Sequence, residues 1–189
     1  MSATPLDENR VQQAFRQFAT GVVVVVGRRS VSPQPAGDQN NATRTIVARA
    51  RAFNSLSLDP PLLLWILDKA SPSFADFKAS TAFAIHILAD DQQALMHHAE
   101  ALAKPELCGP DWSAHPELGL PIHGRCAAWF ACDHVSYFDA DDHGIFVGEI
   151  RDCAFNERRP LVHCAGQYLV PCHHPAHPPA TVPVALATG

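Results

Sequence analysis

The sequence predicts a mainly β protein, an antiparallel barrel or sandwich with a few short helices at its periphery. Three observations carry this expectation. Six or seven strand-like runs stand against two or three short helical ones. The strand-like runs adjoin one another more often than they alternate with helices, which argues against a doubly wound parallel sheet. Two of the runs, residues 22–26 and 62–67, are apolar throughout, as in strands buried on both faces.

Taken in order, residues 7–19 read as a helix. Asp7 is placed to cap it, and Val11, Phe15 and Phe18 fall at i, i+4 and i+7 on one face. Gly21 ends that pattern, and the all-β-branched run 22–26 favours a strand. Residues 30–43, rich in Pro, Gly, Asn, Gln and Ser, predict a polar loop. In the stretch 45–57, Val47, Arg49 and Arg51 alternate with Ala48, Ala50 and Ala52, giving a strand with one large-residue and one small-residue face. Asp59-Pro60-Pro61 breaks it, since proline cannot donate to a ladder.

Residues 62–67 are the next strand. Ser71-Pro72 predicts a helix start, a serine cap followed by proline at the first helical position, with Phe74 and Phe77 inward. Residues 83–88 form a strand, and Asp90 or Asp91 caps a helix reaching about Leu102. The prolines and glycines of 103–123 predict a long excursion. Residues 126–138 and 144–153 are the clearest strands of the second half, joined by a turn at 139–143, and 161–164 is a last short strand. Residues 171–189, rich in Pro, His and Ala, predict a flexible tail.

Composition bounds the function. The 189 residues suit one domain, with or without a tail. A formal charge of -5 without a basic block gives no nucleic-acid footprint. No apolar run approaches the roughly 18 residues of a membrane span, and no signal-peptide plan opens the chain. A cytoplasmic protein with reduced thiols is expected. Asn41-Ala42-Thr43 matches a glycosylation acceptor, which carries no meaning without secretion. The six cysteines, Cys108, Cys126, Cys132, Cys153, Cys164 and Cys172, show no metal-ligand spacing and read as small buried hydrophobes. Cys172, His173, His174 and His177 form a His-rich cluster, but nothing around it fixes ligand geometry, so no metal is expected. G-x-G-x-x-G, P-loop, G-x-S-x-G and H-E-x-x-H motifs are all absent.

At Phe53-Asn54-Ser55-Leu56-Ser57-Leu58-Asp59-Pro60-Pro61-Leu62 the chain resembles the flavin-reductase-like family, whose pattern is F-x-S-x-S-x-x-P-P-L after a Ser/Thr-rich strand. Four further segments agree in order. Phe18-Ala19-Thr20-Gly21-Val22 is similar to the family's P-T-G-V strand start, with alanine for proline. Ser71 and Ser73 match S-x-[ST], with Gln93 in the helix that follows. Asp142-His143 with Ile145-Phe146-Val147-Gly148 matches G-D-H-x-I-F-V-G, with aspartate for glycine, and Gly166-Gln167-Tyr168 matches the closing G-x-Y.

The resemblance spans roughly residues 10–170. It implies a flavin-reductase-like split-barrel domain of the FMN-binding type over 1–170, with 171–189 as tail. It also implies a homodimer, FMN or FAD as cofactor, NADH or NADPH as hydride donor, and a flavin-dependent monooxygenase as possible recipient. No nucleic-acid or membrane partner is implied.

Candidate site residues follow from the matched positions. Ala50, Ala52 and Phe53 would let a flavin ring lie against a strand backbone whose N–H groups donate, with Asn54 and Ser55 adding side-chain donors. Without the resemblance, the same residues read as an ordinary bending strand. Arg49 and Arg51 stand where the family usually has Thr and Ser. They either grip a phosphate bidentately, shift or abolish flavin binding, or are merely solvated. Ser71 and Ser73 suit a phosphate at a helix start or simple capping, and Lys69 is close by. Thr20 belongs to the matched strand start. The resemblance puts His143 beside flavin and nicotinamide, with Asp142 fixing its tautomer; alone, the pair reads as a turn. Tyr168 closes the pocket or packs the last strand. Three functions remain open: an NAD(P)H:flavin oxidoreductase, a flavin carrier or electron-transfer protein without turnover, and a barrel that has lost flavin.

Overall fold

A computed structural model describes residues 7–30, 43–101 and 109–172. The polar loop at 31–42, Cys108, residues 102–108 and the tail from His173, with most of its His cluster, lie outside the described residues.

Three helices and twelve strands occur among the described residues. In chain order they are α1 (Glu8–Arg16), β1 (Thr20–Gly21), β2 (Val23–Ser30), β3 (Thr43–Arg49), β4 (Ala52–Leu58), β5 (Pro61–Asp68), α2 (Phe74–Ala79), β6 (Ala82–Ile87), α3 (Gln93–Ala101), β7 (Trp112–Ala114), β8 (Pro121–His123), β9 (Ala128–Ala140), β10 (His143–Phe155), β11 (Val162–Cys164) and β12 (Gln167–Leu169). Seven strands form one antiparallel sheet in the order β3-β2-β6-β9-β10-β5-β4. Small sheets β1-β11-β12 and β7-β8 flank it.

The two outermost strands of that order, β3 and β4, are separated in the chain only by Ala50 and Arg51. At this corner the Ala50 N–H donates to the Val23 carbonyl at 3.1 Å and the Arg51 N–H to the Ile66 carbonyl at 2.8 Å. The corner is thus bonded to the strand beside each edge, and the sheet curls into a split barrel. The expected single strand over 45–57 is therefore two strands, because alternation of residue size does not reveal a change of partner.

The run 22–26 is buried on both faces for a visible reason. Val23 and Val25 enter the barrel core, while Val22, Val24 and Val26 pack outward beneath α3 with Leu88 and Met96. Inside the barrel, Trp65 stacks on Phe146 with ring centroids 4.5 Å apart and meets Phe77 and Phe83 edge-on. Gly148 is required there: a Cβ would lie 2.5 Å from Phe83 Cζ and 2.9 Å from Cys132 Cβ. Phe77 is buried and Phe74 packs on the same core, as the sequence predicts.

Several expectations are corrected. The first helix ends at Arg16, and Phe15 and Phe18 are each 75% exposed rather than buried. Asp7 does cap it, accepting from the Asn9 N–H at 3.1 Å. The second helix starts at Phe74, two residues after Pro72, with Ser73 as a cap residue whose side chain makes no capping bond. Neither Asp90 nor Asp91 caps α3; their carboxylates pair with Arg159 and Arg158. The turn at 139–143 shrinks to Asp141 and Asp142, Asp141 taking a φ of 55° that aspartate tolerates. Strand β12 follows β11 after a turn the sequence reading left unassigned. Cys126 and Cys132 are buried, but Cys153 and Cys172 are exposed and Cys164 is half-buried. Burial pushes the Cys126 thiol up to about 12 and the Cys132 thiol upward as well, so neither is a ready nucleophile.

Candidate functional site

A cleft of about 820 Å³ opens where the barrel is split. One wall is the stretch from Arg44 on β3 through the Ala50–Arg51 corner to Asn54 on β4. Facing it are the segment from Phe18 to Val23, the end of β5 with Leu64, Leu67 and Asp68, and the approach to α2 with Ser71, Pro72, Ser73 and Asp76.

The cleft gathers nine of the residues singled out from the sequence: Thr20, Arg49, Ala50, Arg51, Ala52, Phe53, Asn54, Ser71 and Ser73. They converge because β4 is an outer strand. Only alternate residues of β4 bond to β5, and the remaining backbone groups are left facing away from the sheet. The Ala50 and Arg51 N–H groups, expected as donors, are consumed in closing the barrel. The Asn54 side chain accepts from the Ser55 N–H at 3.0 Å; Asn54 lines the cleft and Ser55 does not. The Ser71 and Ser73 hydroxyls lie 3.1 Å apart, bonded to each other rather than to the helix end.

Four other candidates stand off the cleft wall. Lys69 is ion-paired with Asp139 at 2.6 Å; this hydrogen bond raises the ammonium pKa and lowers that of the carboxyl. The Tyr168 hydroxyl donates to Met96 Sδ at 2.8 Å, and its ring packs 5.4 Å from that of His163. His163 does line the cleft, brought there as the cross-strand partner of Thr20.

Asp142 and His143 form the tip of the β9–β10 hairpin at the rim. His143 is the cross-strand partner of Asp68, a cleft residue, and the Lys69 N–H donates to the Asp142 carbonyl at 2.9 Å. His143 Nδ1 lies 2.5 Å from Asp142 Oδ1, which fixes the ring so that Nε2 is left for another partner. This bond, with a smaller contribution from Arg51, holds the Asp142 carboxyl below the usual carboxylate range.

Sequence reasoning missed Phe18, Arg44, Asp68, Asp76 and His163 as cleft residues. Phe18 opens one of the matched segments without being marked by it; the other four belong to no local motif and enter through strand register or packing of α2 against β2. The arrangement offers an apolar slot at Ala50, Ala52 and Phe53, cations at Arg44, Arg49 and Arg51, and a rigid imidazole at the rim. That is the donor set for a planar aromatic group carrying a phosphate.

Comparison with known proteins agrees with this geometry. A family model for flavin reductase like domains matches residues 15–170. A probable flavin reductase of Rhizobium meliloti is 30% identical over 171 residues, covering 90% of this chain but 51% of the relative, so the chain spans about half of that protein. An FMN reductase (NADH) of Agrobacterium fabrum is 33% identical over 159 residues, covering 83% of this chain and 82% of the relative. The reductase subunit HsaB of a flavin-dependent monooxygenase from Rhodococcus jostii is 29% identical over 169 residues, covering 89% and 80%. Among solved structures, BorF, the flavin reductase component of a bacterial two-component tryptophan halogenase, superposes with a TM-score of 0.72 at 29% identity, covering 87% of this chain and 98% of that one.

Proposed function

Because the chain belongs to the flavin reductase like domain family, we propose that it is an NAD(P)H:flavin oxidoreductase supplying reduced flavin to a partner monooxygenase. The observation that carries this reading is the cleft at the split of the barrel, with an apolar slot and arginines on one wall and a fixed imidazole at its rim. The relatives named as an NADH-dependent FMN reductase and as a monooxygenase reductase subunit support the donor and the recipient.

When bound, the nicotinamide and flavin supply the hydride chemistry themselves, and no protein acid or base is required for the transfer. The chain's task is to bind, orient and exclude water. Ala50, Ala52 and Phe53 hold the flavin ring, with Asn54 and Thr20 as polar neighbours. Arg49 and Arg51, assisted by Ser71 and Ser73, hold the phosphate nearest the ring. His143, locked by Asp142, orients the nicotinamide from the rim, leaving the cleft floor to the flavin. Tyr168 acts indirectly, by packing against His163. Lys69 steadies the hairpin tip through Asp139 and its backbone bond to Asp142.

The protein works as a cytoplasmic homodimer in this reading. Exposed apolar side chains such as Leu58 and Phe155 support a second copy as their cover, and the free thiols suit a reducing compartment.

The deciding experiment mixes purified protein with NADH or NADPH and with FMN or FAD, and follows loss of reduced-nicotinamide absorbance. Turnover with at least one pair is expected. Tight flavin binding without turnover would make the protein a carrier, and absence of binding would remove the flavin reading.

A further inference from the structure

Two aromatic side chains, Phe18 and His163, line the cleft beside Thr20. We infer that they form a clamp on the flavin ring, Phe18 by stacking and His163 by a hydrogen bond from its imidazole. This rests on the flavin reading above and adds to it the residues that meet the ring from across the Ala50–Asn54 wall.

The two come from distant parts of the chain and are stitched together. Thr20 and His163 are cross-strand partners on β1 and β11, so their side chains leave the small sheet on one face, and both line the cleft. Before Thr20, the Arg16 carbonyl accepts from the Ala165 N–H at 2.7 Å, and Cys164 Sγ lies 3.7 Å from the Gln17 carbonyl oxygen. These contacts pin segment 16–20 against 163–165 at both ends, with Phe18 in the middle. The Phe18 N–H also donates to the Phe15 carbonyl at 3.0 Å. The Phe18 backbone is thus fixed, yet its side chain is 75% exposed.

His163 is supported from behind. Tyr168 is its partner on β12, with the two rings 5.4 Å apart, and the Tyr168 hydroxyl is anchored on Met96 Sδ. Packing holds the half-buried imidazole, while neither of its nitrogens has a hydrogen-bond partner among the described residues. Such a group in a cleft wall has donor and acceptor capacity left for a ligand.

The facing wall has the complementary shape. Ala48, Ala50 and Ala52 are small and let a flat group approach the backbone. Thr20 stands three residues before Val23, whose carbonyl accepts from the Ala50 N–H, and three extended residues cover about 10 Å. The small-residue wall and the aromatic pair are therefore within one fused ring system of each other. Phe18 offers that ring a face to stack on, and His163 offers its heteroatoms a donor.

The test measures dissociation constants of riboflavin and FMN by flavin fluorescence for the wild type, Phe18→Ala, Phe18→Trp and His163→Phe. Riboflavin carries the ring without the phosphate and so reads ring contacts alone. Phe18→Ala should weaken both ligands by the same factor, about threefold to tenfold, the range for an aromatic stacking contact. His163→Phe keeps a ring against Tyr168 and removes the hydrogen bond; it should weaken both ligands by a similar factor. Phe18→Trp should retain affinity and shorten the fluorescence lifetime of bound flavin below the wild-type value, because indole quenches flavin on contact. Urea midpoints of the variants should match the wild type, showing an intact fold.

Wild-type riboflavin affinity in Phe18→Ala or His163→Phe overturns the clamp while the flavin reading stands. An unchanged lifetime in Phe18→Trp does the same, and it decides the matter should a midpoint fall in either of the other variants. Weakening of FMN alone also overturns the clamp, since the residues would then serve the phosphate. A change of mass by light scattering in Phe18→Ala, with flavin affinity unchanged, assigns Phe18 to a contact between copies instead. Failure of the wild type to bind either ligand removes the flavin reading itself and this proposal with it.

Discussion

At the scale of single residues, two histidines show opposite uses of the same ring. His143 stands at the rim with Nδ1 tied to Asp142 at 2.5 Å and the rest of the ring free to meet a ligand. If it orients the nicotinamide, His143→Ala should lower kcat/KM about tenfold to a hundredfold while flavin affinity stays the same, since a misplacement near 1 Å costs roughly that much. Stopped-flow reduction of bound flavin checks this; a wild-type rate at every pH would leave His143 as a turn residue only. Its role was legible only through resemblance, because a D-D-H turn between strands has an ordinary reading of its own. His163, in contrast, sits among unremarkable residues in the chain and reaches the cleft only through its pairing with Thr20.

At the scale of elements, β6 carries a buried histidine whose effect is on stability. His86 faces away from the barrel core; its Nε2 accepts from the His123 N–H at 3.2 Å, and Trp112 packs edge-on against its ring. Burial, followed by the neighbouring His123, lowers its pKa to about 3. The unfolded chain binds a proton there near pH 6.5, so below that pH the unfolded state holds more protons than the folded one. The stabilisation from neutral His86 is complete above about pH 6.5 and is lost as pH falls toward 3, at up to roughly 1.4 kcal/mol per pH unit. Urea unfolding between pH 7 and about 4.5 should show this slope in the wild type and a shallower one in His86→Gln. Equal slopes would assign the acid loss to other groups. Strand periodicity marks residues 83–88 as a strand but not this histidine's environment, because the covering β7–β8 hairpin lies in a stretch that reads as a loop excursion.

At the scale of the whole molecule, the chain leaves apolar side chains uncovered. Leu58 is 89% and Phe155 84% exposed, and among the described residues none of α1 is buried, Phe15 on its apolar face being 75% exposed. Burial of large apolar side chains is worth about 1.5–3 kcal/mol each, enough in combination to hold two copies together. Light scattering should give twice the 20.5 kDa chain mass, and Phe155→Asp should shift the protein toward monomer. A wild-type monomer at working concentration would count against the homodimer.

The sequence by itself determined the fold class and most of its elements. β-branched runs such as 22–26 and proline breaks such as Asp59-Pro60-Pro61 are local properties, and backbone preference together with burial acts on them locally. The run from Arg49 to Asn54, which lines the cleft, was marked only through the family resemblance, because on its residues alone it reads as an ordinary bending strand. Only the tertiary structure decided what faces that wall. The split of the run 45–57 at Ala50–Arg51, the sharing of one cleft by Arg44 and Asp76, and the entry of His163 all depend on which strands pair and on where α2 packs. The physical reason is that a barrel brings together residues far apart in the chain, and register and closure are properties of partners that no single segment encodes.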